Sequence, residues 1–448
     1  MAALKVDWHE IPGELSVEKT LVIQIAALGH EFLKEQAGGE EFLGLRFRPV
    51  ESVFPAVTCS VQASFKTAAR PSSHGMVGNG FFSRDLSRAF FWEQSSSLVS
   101  GERIWDGFRR AGSTVGIVFW QQSLGTDADV ALSPAPIHKH HGGMIQDCFS
   151  RPAGLYGDLK RQLGRGFDLR HYWGPRTSVK STAWIAEATA RVMRDPAPDL
   201  LLTYLPHLDY DLQRHGPDSP EAARAFGEMK AILERLLAAA RGAGYRTVAF
   251  GDYAMSPVSR PVHPNRALLE AGLMSVRRIG KMLYPDLYTS GCFCVVDHQV
   301  AHAIVRDTAA LDAARSVLEG LPGVARVMGA DEKREAGLEH PRAGDLVLVA
   351  ERDAWFAYPW WSKSSEAPEY ATHVDIHNKP SYDPCELFTD WWPFATSTDA
   401  SRVRGSHGLV GEGLEATWAS EFELGLQSDS IVGLARALGD QLDRSAQP

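Results

Sequence analysis

The run Phe54-Pro55-Ala56-Val57-Thr58-Cys59-Ser60, followed by Ser73-His74-Gly75-Met76-Val77-Gly78-Asn79-Gly80, is the most informative part of the 448-residue chain. A small hydroxyl residue stands just before a helical run over 61–69, so Thr58 is expected to project from the positive end of a helix. Such a place stabilises an anion, either an ionised alkoxide or a phosphate held against exposed backbone N–H groups. Asn79 follows in a Gly-rich turn, where a side-chain amide can donate to a phosphoryl oxygen. Taken alone, a Thr in front of a helix reads as a cap. The long local pattern around it favours chemistry instead.

Outward from this block, strand and helix alternate. Leu21-Val22-Ile23-Gln24-Ile25 is an apolar run suited to a buried parallel strand, leading into a turn and helix near Leu28-Gly29-His30. Residues 114–120, 199–205 and 246–250 read as further strands. A helix over 220–240 has Ser219 as cap, Pro220 at N1 and an apolar face of Phe226, Met229, Leu233, Leu236 and Leu237. The alternation continues to about residue 290 and predicts an α/β fold whose sheet is covered on both faces. The texture then changes to a compact α+β segment, and Leu346-Val347-Leu348-Val349 is expected to rejoin the main sheet. The chain accordingly divides into a first core part over 1–291, an inserted α+β cap over 292–344 and a second core part over 345–448.

The formal net charge of −9, with no long basic run, gives no electrostatic support for binding nucleic acid. Residues 1–8 lack the apolar stretch of a secretory signal, and no run is long enough to span a bilayer, so the expectation is a cytoplasmic protein away from membranes. Cys59, Cys148, Cys292, Cys294 and Cys385 show no paired metal-site spacing and read as reduced thiols. Cys292-x-Cys294 reads as two strand positions rather than a ligand pair.

Three more segments carry candidate chemistry. Tyr204-Leu205-Pro206-His207-Leu208-Asp209-Tyr210-Asp211-Leu212-Gln213-Arg214-His215 and Phe250-Gly251-Asp252-Tyr253 both leave strand ends, where open α/β sheets place ligand groups. Arg404-Gly405-Ser406-His407-Gly408 is a Gly-flanked His. With the Thr58 block, these segments resemble, in order, the alkaline phosphatase superfamily, and within it the nucleotide pyrophosphatase/phosphodiesterase-like branch. The resemblance implies a three-layer α/β/α sandwich with a central, mostly parallel sheet. It also implies metal-dependent hydrolysis of a phosphodiester, nucleotide pyrophosphate or related phosphorus ester. Thr58 would be the nucleophile, forming a covalent phospho-Thr released by metal-bound water, and Asn79 would hold a phosphoryl oxygen.

Carried over residue by residue, Asp209, Asp252 and His407 match family metal ligands. Gln24, Gln213 and Tyr253 stand where the family has an Asp and two His residues. Neutral amides are poor zinc ligands, though they suit harder ions. The half-site on Asp209 and His407 is therefore expected to hold a divalent metal, zinc by the resemblance. The half-site of Asp252, Thr58 and Gln24 is weakened, and one tight ion is expected. Tyr253 would bind only as a phenolate, which needs a strongly lowered pKa.

Further candidates are Asp375 and His377, as metal or second-layer groups, and Lys379 as a phosphate partner. The alternative for that segment is a loop salt bridge. Asp211 and His215 lie beside the motif positions. His138, His140 and His141 read as loop residues rather than a metal cluster, His263 as a cap of the next helix, and His74 as a support of the Asn79 loop. Trp355, Trp360 and Trp361 are candidate pocket aromatics. Two further functions stay open: a weakened relative that binds a phosphorylated metabolite without turnover, and a phosphoryl transferase or mutase using the same Thr. In every case the partner is a small phosphorylated metabolite.

Overall fold

The structure is a computed structural model that describes residues 18–374, 386–389 and 396–446. Its strands, in chain order, begin with β1 (Lys19–Ile25), β2 (Arg48–Val50), β3 (Val115–Val118), β4 (Val130–Pro134), β5 (Cys148–Arg151), β6 (Leu200–Leu205) and β7 (Tyr245–Gly251). They continue with β8 (Cys292–Asp297), β9 (Val300–Val305), β10 (Val324–Met328), β11 (Leu346–Ala350) and β12 (Ala416–Ser420). The helices that matter here are α1 (His30–Ala37), α2 (Thr58–Thr67), α3 (Val179–Arg194), α4 (His207–His215), α5 (Pro220–Gly242) and α6 (Ile431–Ser445).

Eight strands form the main sheet in the order β5-β4-β3-β6-β1-β7-β12-β2. The five central strands, β4 to β7 in that order, are parallel, and the edges are antiparallel. Alternation along β1 shows why both faces are covered. Leu21, Ile23 and Ile25 pack in one apolar cluster with Trp184, Ile185 and Val192 of α3 and Phe226, Met229 and Leu233 of α5. Val22 points the other way, into a cluster with Val61 and Phe65 of α2 and Leu434 and Leu438 of α6. A strand buried on both faces reads as a continuous apolar run, which is how β1 was recognisable. The result is the three-layer α/β/α arrangement with a mostly parallel centre.

The long helix α5 starts as its sequence predicts: the Ser219 hydroxyl accepts from the Ala222 N–H at 3.1 Å, and Pro220 opens the helix. A second sheet, ordered β8-β9-β11-β10, is antiparallel throughout. Leu346–Ala350 belongs to it. The expectation that this strand rejoins the main sheet is therefore corrected. Its alternating apolar residues meet β9 and β10, and an apolar run carries no label of which sheet it joins. Trp360 and Trp361 pack inside the same small-sheet core, with the Trp360 indole N–H donating to the Leu283 carbonyl at 3.1 Å. Trp355 is buried in an adjoining cluster. None of the three lines the recess described below.

No helix among the described residues is long and apolar enough to cross a membrane. Cys59, Cys148, Cys292 and Cys294 are buried free thiols. Burial pushes the Cys59, Cys148 and Cys292 thiols up to about 12. Cys385 lies outside the described residues.

Candidate active site

Parallel strands bring their C-terminal ends to one rim, and the segments that leave those ends build the site. Gln24 is the penultimate residue of β1, Asp252 and Tyr253 follow β7, and Asp209 sits in the first turn of α4 just beyond β6. Thr58 opens α2. Val57 occupies the cap position in extended conformation and no side chain caps the helix, so the Thr58 hydroxyl is not spent on capping. It lies 3.3 Å from the Tyr253 hydroxyl, which donates to Asp209 Oδ1 at 3.1 Å. The His407 imidazole lies flat on the Tyr253 ring, with centroids 3.6 Å apart and planes at 4°.

These groups surround a narrow recess, open to solvent, lined by Thr58, Asp209, Tyr253, His298, His407 and a wall of aromatics that includes Trp92 and Trp173. Among the described lining residues there is no Lys or Arg. A phosphoryl group entering it meets the positive end of α2, worth roughly half an elementary charge, and otherwise a carboxylate.

The two half-sites differ in their fitness for a metal. His407 Nδ1 is 2.8 Å from the Ala56 carbonyl and therefore carries the proton. Burial and neighbouring His298 push this imidazole well below its usual range, so Nε2 presents a lone pair. That atom lies 3.8 Å from Asp209 Oδ1. Two ligands of one tetrahedral zinc ion stand roughly 3.3 Å apart, so small adjustments would let both grip one ion. Gln213, one helical turn after Asp209 on the same face of α4, leaves its buried Oε1 without a partner among the described residues. A buried acceptor left over one helical turn from a carboxylate is a donor type that suits a hard cation.

The other half does not fit. Asp252 is fully buried, and its oxygens are already taken. Oδ2 accepts from Gln24 Nε2 at 2.8 Å, and Oδ1 accepts from the backbone N–H groups of Ala27 at 2.9 Å and Tyr253 at 3.0 Å. Burial pushes its carboxyl up to about 8 despite those bonds. Burial, with Asp209 and Asp252 nearby, drives the Tyr253 phenol well above its usual range. In this arrangement Tyr253 is a neutral donor to Asp209.

Asn79 joins two elements. Its Oδ1 accepts from the Cys59 N–H at 3.0 Å, while its Nδ2 donates to Asp297 Oδ1 at 3.0 Å and its backbone N–H to Asp297 Oδ2 at 2.7 Å. A backbone donor on one side and a carboxylate on the other fix which way this amide points. One Nδ2 hydrogen is left over for another acceptor. His74 supports the loop from below, 2.8 Å from Ser64 Oγ and accepting from the Met76 N–H at 3.1 Å.

Other candidates fall elsewhere. Asp211 sits on the α4–α5 side with His207 and Glu228, and 3.8 Å from Arg224. His215 closes α4. His138, His140 and His141 are exposed on a hairpin. His263 occupies the cap position of the helix Pro264–Glu270, but its side chain makes no capping bond, which corrects that expectation. Asp375, His377 and Lys379 lie outside the described residues.

Two residues of the site escaped the sequence reading. Asp297 ends β8 and His298 follows it in the turn, with its ring 4.0 Å from that of His407. The available signal was a His, not a Gly or Asn, in the two-residue turn between two apolar strands.

The chain has counterparts of the same fold among known proteins. The profile of the type I phosphodiesterase / nucleotide pyrophosphatase family matches residues 43–383. The phosphonoacetate hydrolase from Sinorhizobium meliloti 1021, in complex with phosphonoformate, superposes with a TM-score of 0.61 at 17% identity, covering 96% of each chain. Murine ectonucleotide pyrophosphatase/phosphodiesterase 5 does so with a TM-score of 0.59 at 15% identity, again over 96% of each chain. An inactive variant of the murine protein in complex with AMP gives 0.58 at 14%, with the same coverage.

Proposed function

The chain belongs to the type I phosphodiesterase / nucleotide pyrophosphatase family, and from that premise we propose that it hydrolyses a small phosphorus ester with Thr58 as nucleophile. The observation that carries this reading is the chain of contacts from Thr58 through Tyr253 to Asp209, at 3.3 and 3.1 Å, at the positive end of α2. Thr58 Oγ attacks phosphorus while its proton passes to the Tyr253 oxygen, and Tyr253 hands its own proton to Asp209. The ester bond to the departing alcohol breaks, and that oxygen takes a proton from solvent. The product is a phosphorylated Thr58.

One divalent ion fits Asp209, Gln213 and His407, and when bound it would supply the positive charge for phosphoryl oxygens that the described lining lacks. The Asp252, Gln24 and Tyr253 half holds itself together by hydrogen bonds and acts as a scaffold. The substrate is a phosphodiester, nucleotide pyrophosphate or related ester whose other part rests on the aromatic wall. The structures of the neighbours hold phosphonoformate and AMP, both anions that carry a phosphorus group.

Thr58→Ala tests the reading. Hydrolysis should fall by several orders of magnitude, by analogy with the roughly 10⁶-fold loss for other hydrolase nucleophiles. Stability should change by only about 1 kcal/mol, the worth of one hydrogen bond. Thr58→Ser should keep part of the rate. The saturated Asp252 half favours a second reading, a binder without turnover: a wild-type protein that binds phosphate esters and hydrolyses none would establish it.

A further inference from the structure

The chain leaves β3 through Phe119-Trp120-Gln121-Gln122, and two of these residues hold left-handed backbone, Phe119 at φ +62° and Gln122 at φ +47°. Such angles are costly for side chains of this size and persist only where the surroundings enforce them. Here α2 does so. Cys59, Gln62 and Lys66, three and four residues apart, share one face of that helix. The Gln121 N–H donates to Gln62 Oε1 at 2.6 Å, and Lys66 Nζ donates to the carbonyls of Gln121 at 2.8 Å and Gln122 at 3.2 Å. Gln122 Nε2 lies 3.2 Å from Cys59 Sγ. The helix that carries Thr58 thus takes up the backbone groups of the loop. It leaves the Gln121 side chain to the recess, which Gln121 lines together with Thr58 and Tyr172.

The direction of this amide is fixed. Gln94 Oε1 accepts from the Gln122 N–H at 3.2 Å and Gln94 Nε2 donates to the Trp92 carbonyl at 3.0 Å, so backbone groups decide which end of Gln94 is which. Gln94 Nε2 also donates to Gln121 Oε1 at 2.6 Å, which turns Gln121 Nε2 toward the Tyr172 hydroxyl, 3.2 Å away. One Nε2 hydrogen of Gln121 is left over. The Tyr172 hydroxyl accepts in this bond, and its own hydrogen meets no acceptor among the described residues. Burial pushes that phenol up, so the hydrogen stays on it. Gln121 is 4% exposed and Tyr172 3%. Donors held away from bulk water are costly until a ligand supplies their acceptor.

Charge decides what that acceptor is. No Lys or Arg stands among the described lining residues, and Asp209 puts a carboxylate into the same recess. A substrate carboxylate would exchange water for two neutral donors and a like charge, a poor trade for an ion without a counter-charge. A neutral carbonyl oxygen accepts both hydrogen bonds and brings no charge with it. We propose that Gln121 is a specificity-determining residue of this site, donating with Tyr172 to a neutral carbonyl oxygen on the organic part of the ester and so favouring such esters over carboxylated ones. This rests on the reading of the recess as the place of ester hydrolysis.

The test uses mixed phosphodiesters that all lose 4-nitrophenolate and keep a phenyl, an acetylphenyl or a carboxyphenyl group. The common leaving group holds the chemistry constant. Wild-type kcat/KM should be about tenfold higher for the acetylphenyl ester than for the phenyl ester, the worth of one or two neutral hydrogen bonds. The carboxyphenyl ester should be the poorest of the set. Gln121→Glu keeps the shape of the side chain and an acceptor for Gln94 but removes Nε2. In this variant the KM advantage of the acetylphenyl ester over the phenyl ester should fall to about parity, and Tyr172→Phe should lose part of it. A ratio taken on one variant is blind to a general loss of folded protein. A wild type indifferent to the acetyl group, a wild type that prefers the carboxyl group, or variants that slow every ester and keep the wild-type ratio would overturn the assignment. A wild type that hydrolyses none of these esters would instead sink the hydrolase reading beneath it.

Discussion

The Tyr253 hydroxyl occupies the space between Thr58 and Asp209, while its backbone N–H helps to saturate Asp252. Tyr253 thus joins the Thr58–Asp209 contacts to the Asp252 set, and Gln24 also donates to Asp252. The double variant Gln24→Asp with Tyr253→His removes both side chains. It adds a carboxylate and an imidazole beside Asp252, and without a cation the two buried carboxylates repel. Elemental analysis should rise from about one divalent ion per chain in the wild type to about two in the variant. A chelator should lower the melting temperature of the variant far more than that of the wild type. An unchanged metal count would show that Tyr253 and Gln24 are not what closes this half-site.

At the level of elements, α2 and the β8–β9 hairpin are fastened together through Asn79. Gly78 makes the approach possible, since a Cβ there would stand 2.9 Å from Asp297 Oδ2. Its φ lies outside the left-handed region, so Gly78→Ala acts by crowding, first on Asp297 and then on the Gly80 carbonyl oxygen, 3.2 Å from the same Cβ. Losing one or two buried bonds to a carboxylate should cost about 1–3 kcal/mol in denaturant unfolding. Turnover should drop at least tenfold, because Cys59 N–H and the Asp297–His298 pair lose their common anchor. If turnover survives while stability falls, the hairpin is a packing element and does not set the geometry of the site.

Across the whole molecule, several buried histidines stay neutral. His74 is pushed down to about 3, and His263 and His302 to about 4, each chiefly by burial. In the unfolded chain they titrate near 6.5. Between about pH 4 and 6.5 the unfolded state therefore binds more protons than the folded state. By linkage, stability must fall as pH drops through that window, by up to about 1.4 kcal/mol per pH unit for each group. Urea midpoints measured from pH 7 to 4.5 should decline, and His302→Gln should make the decline shallower whatever it does to stability at pH 7. A flat profile would mean that these rings are protonated in the fold.

The sequence by itself determined the covered parallel sheet, because a strand buried on both faces must be apolar throughout, as in Leu21-Val22-Ile23. It also marked Thr58, Asp209, Asp252 and His407, since each belongs to a short block that keeps its residue types in order along the chain. Tertiary structure alone decided which sheet Leu346–Ala350 joins, for an apolar strand fits either. The same holds for Trp355, Trp360 and Trp361, whose large rings suit a core as well as a pocket. It alone decided that Asp252 is saturated by N–H donors while Gln213 keeps an orphan oxygen, because hydrogen-bond partners here come from residues more than 200 positions apart. And it alone brought Asp297 and His298 to the Thr58 rim, through a hairpin of the second sheet whose reach no local pattern encodes.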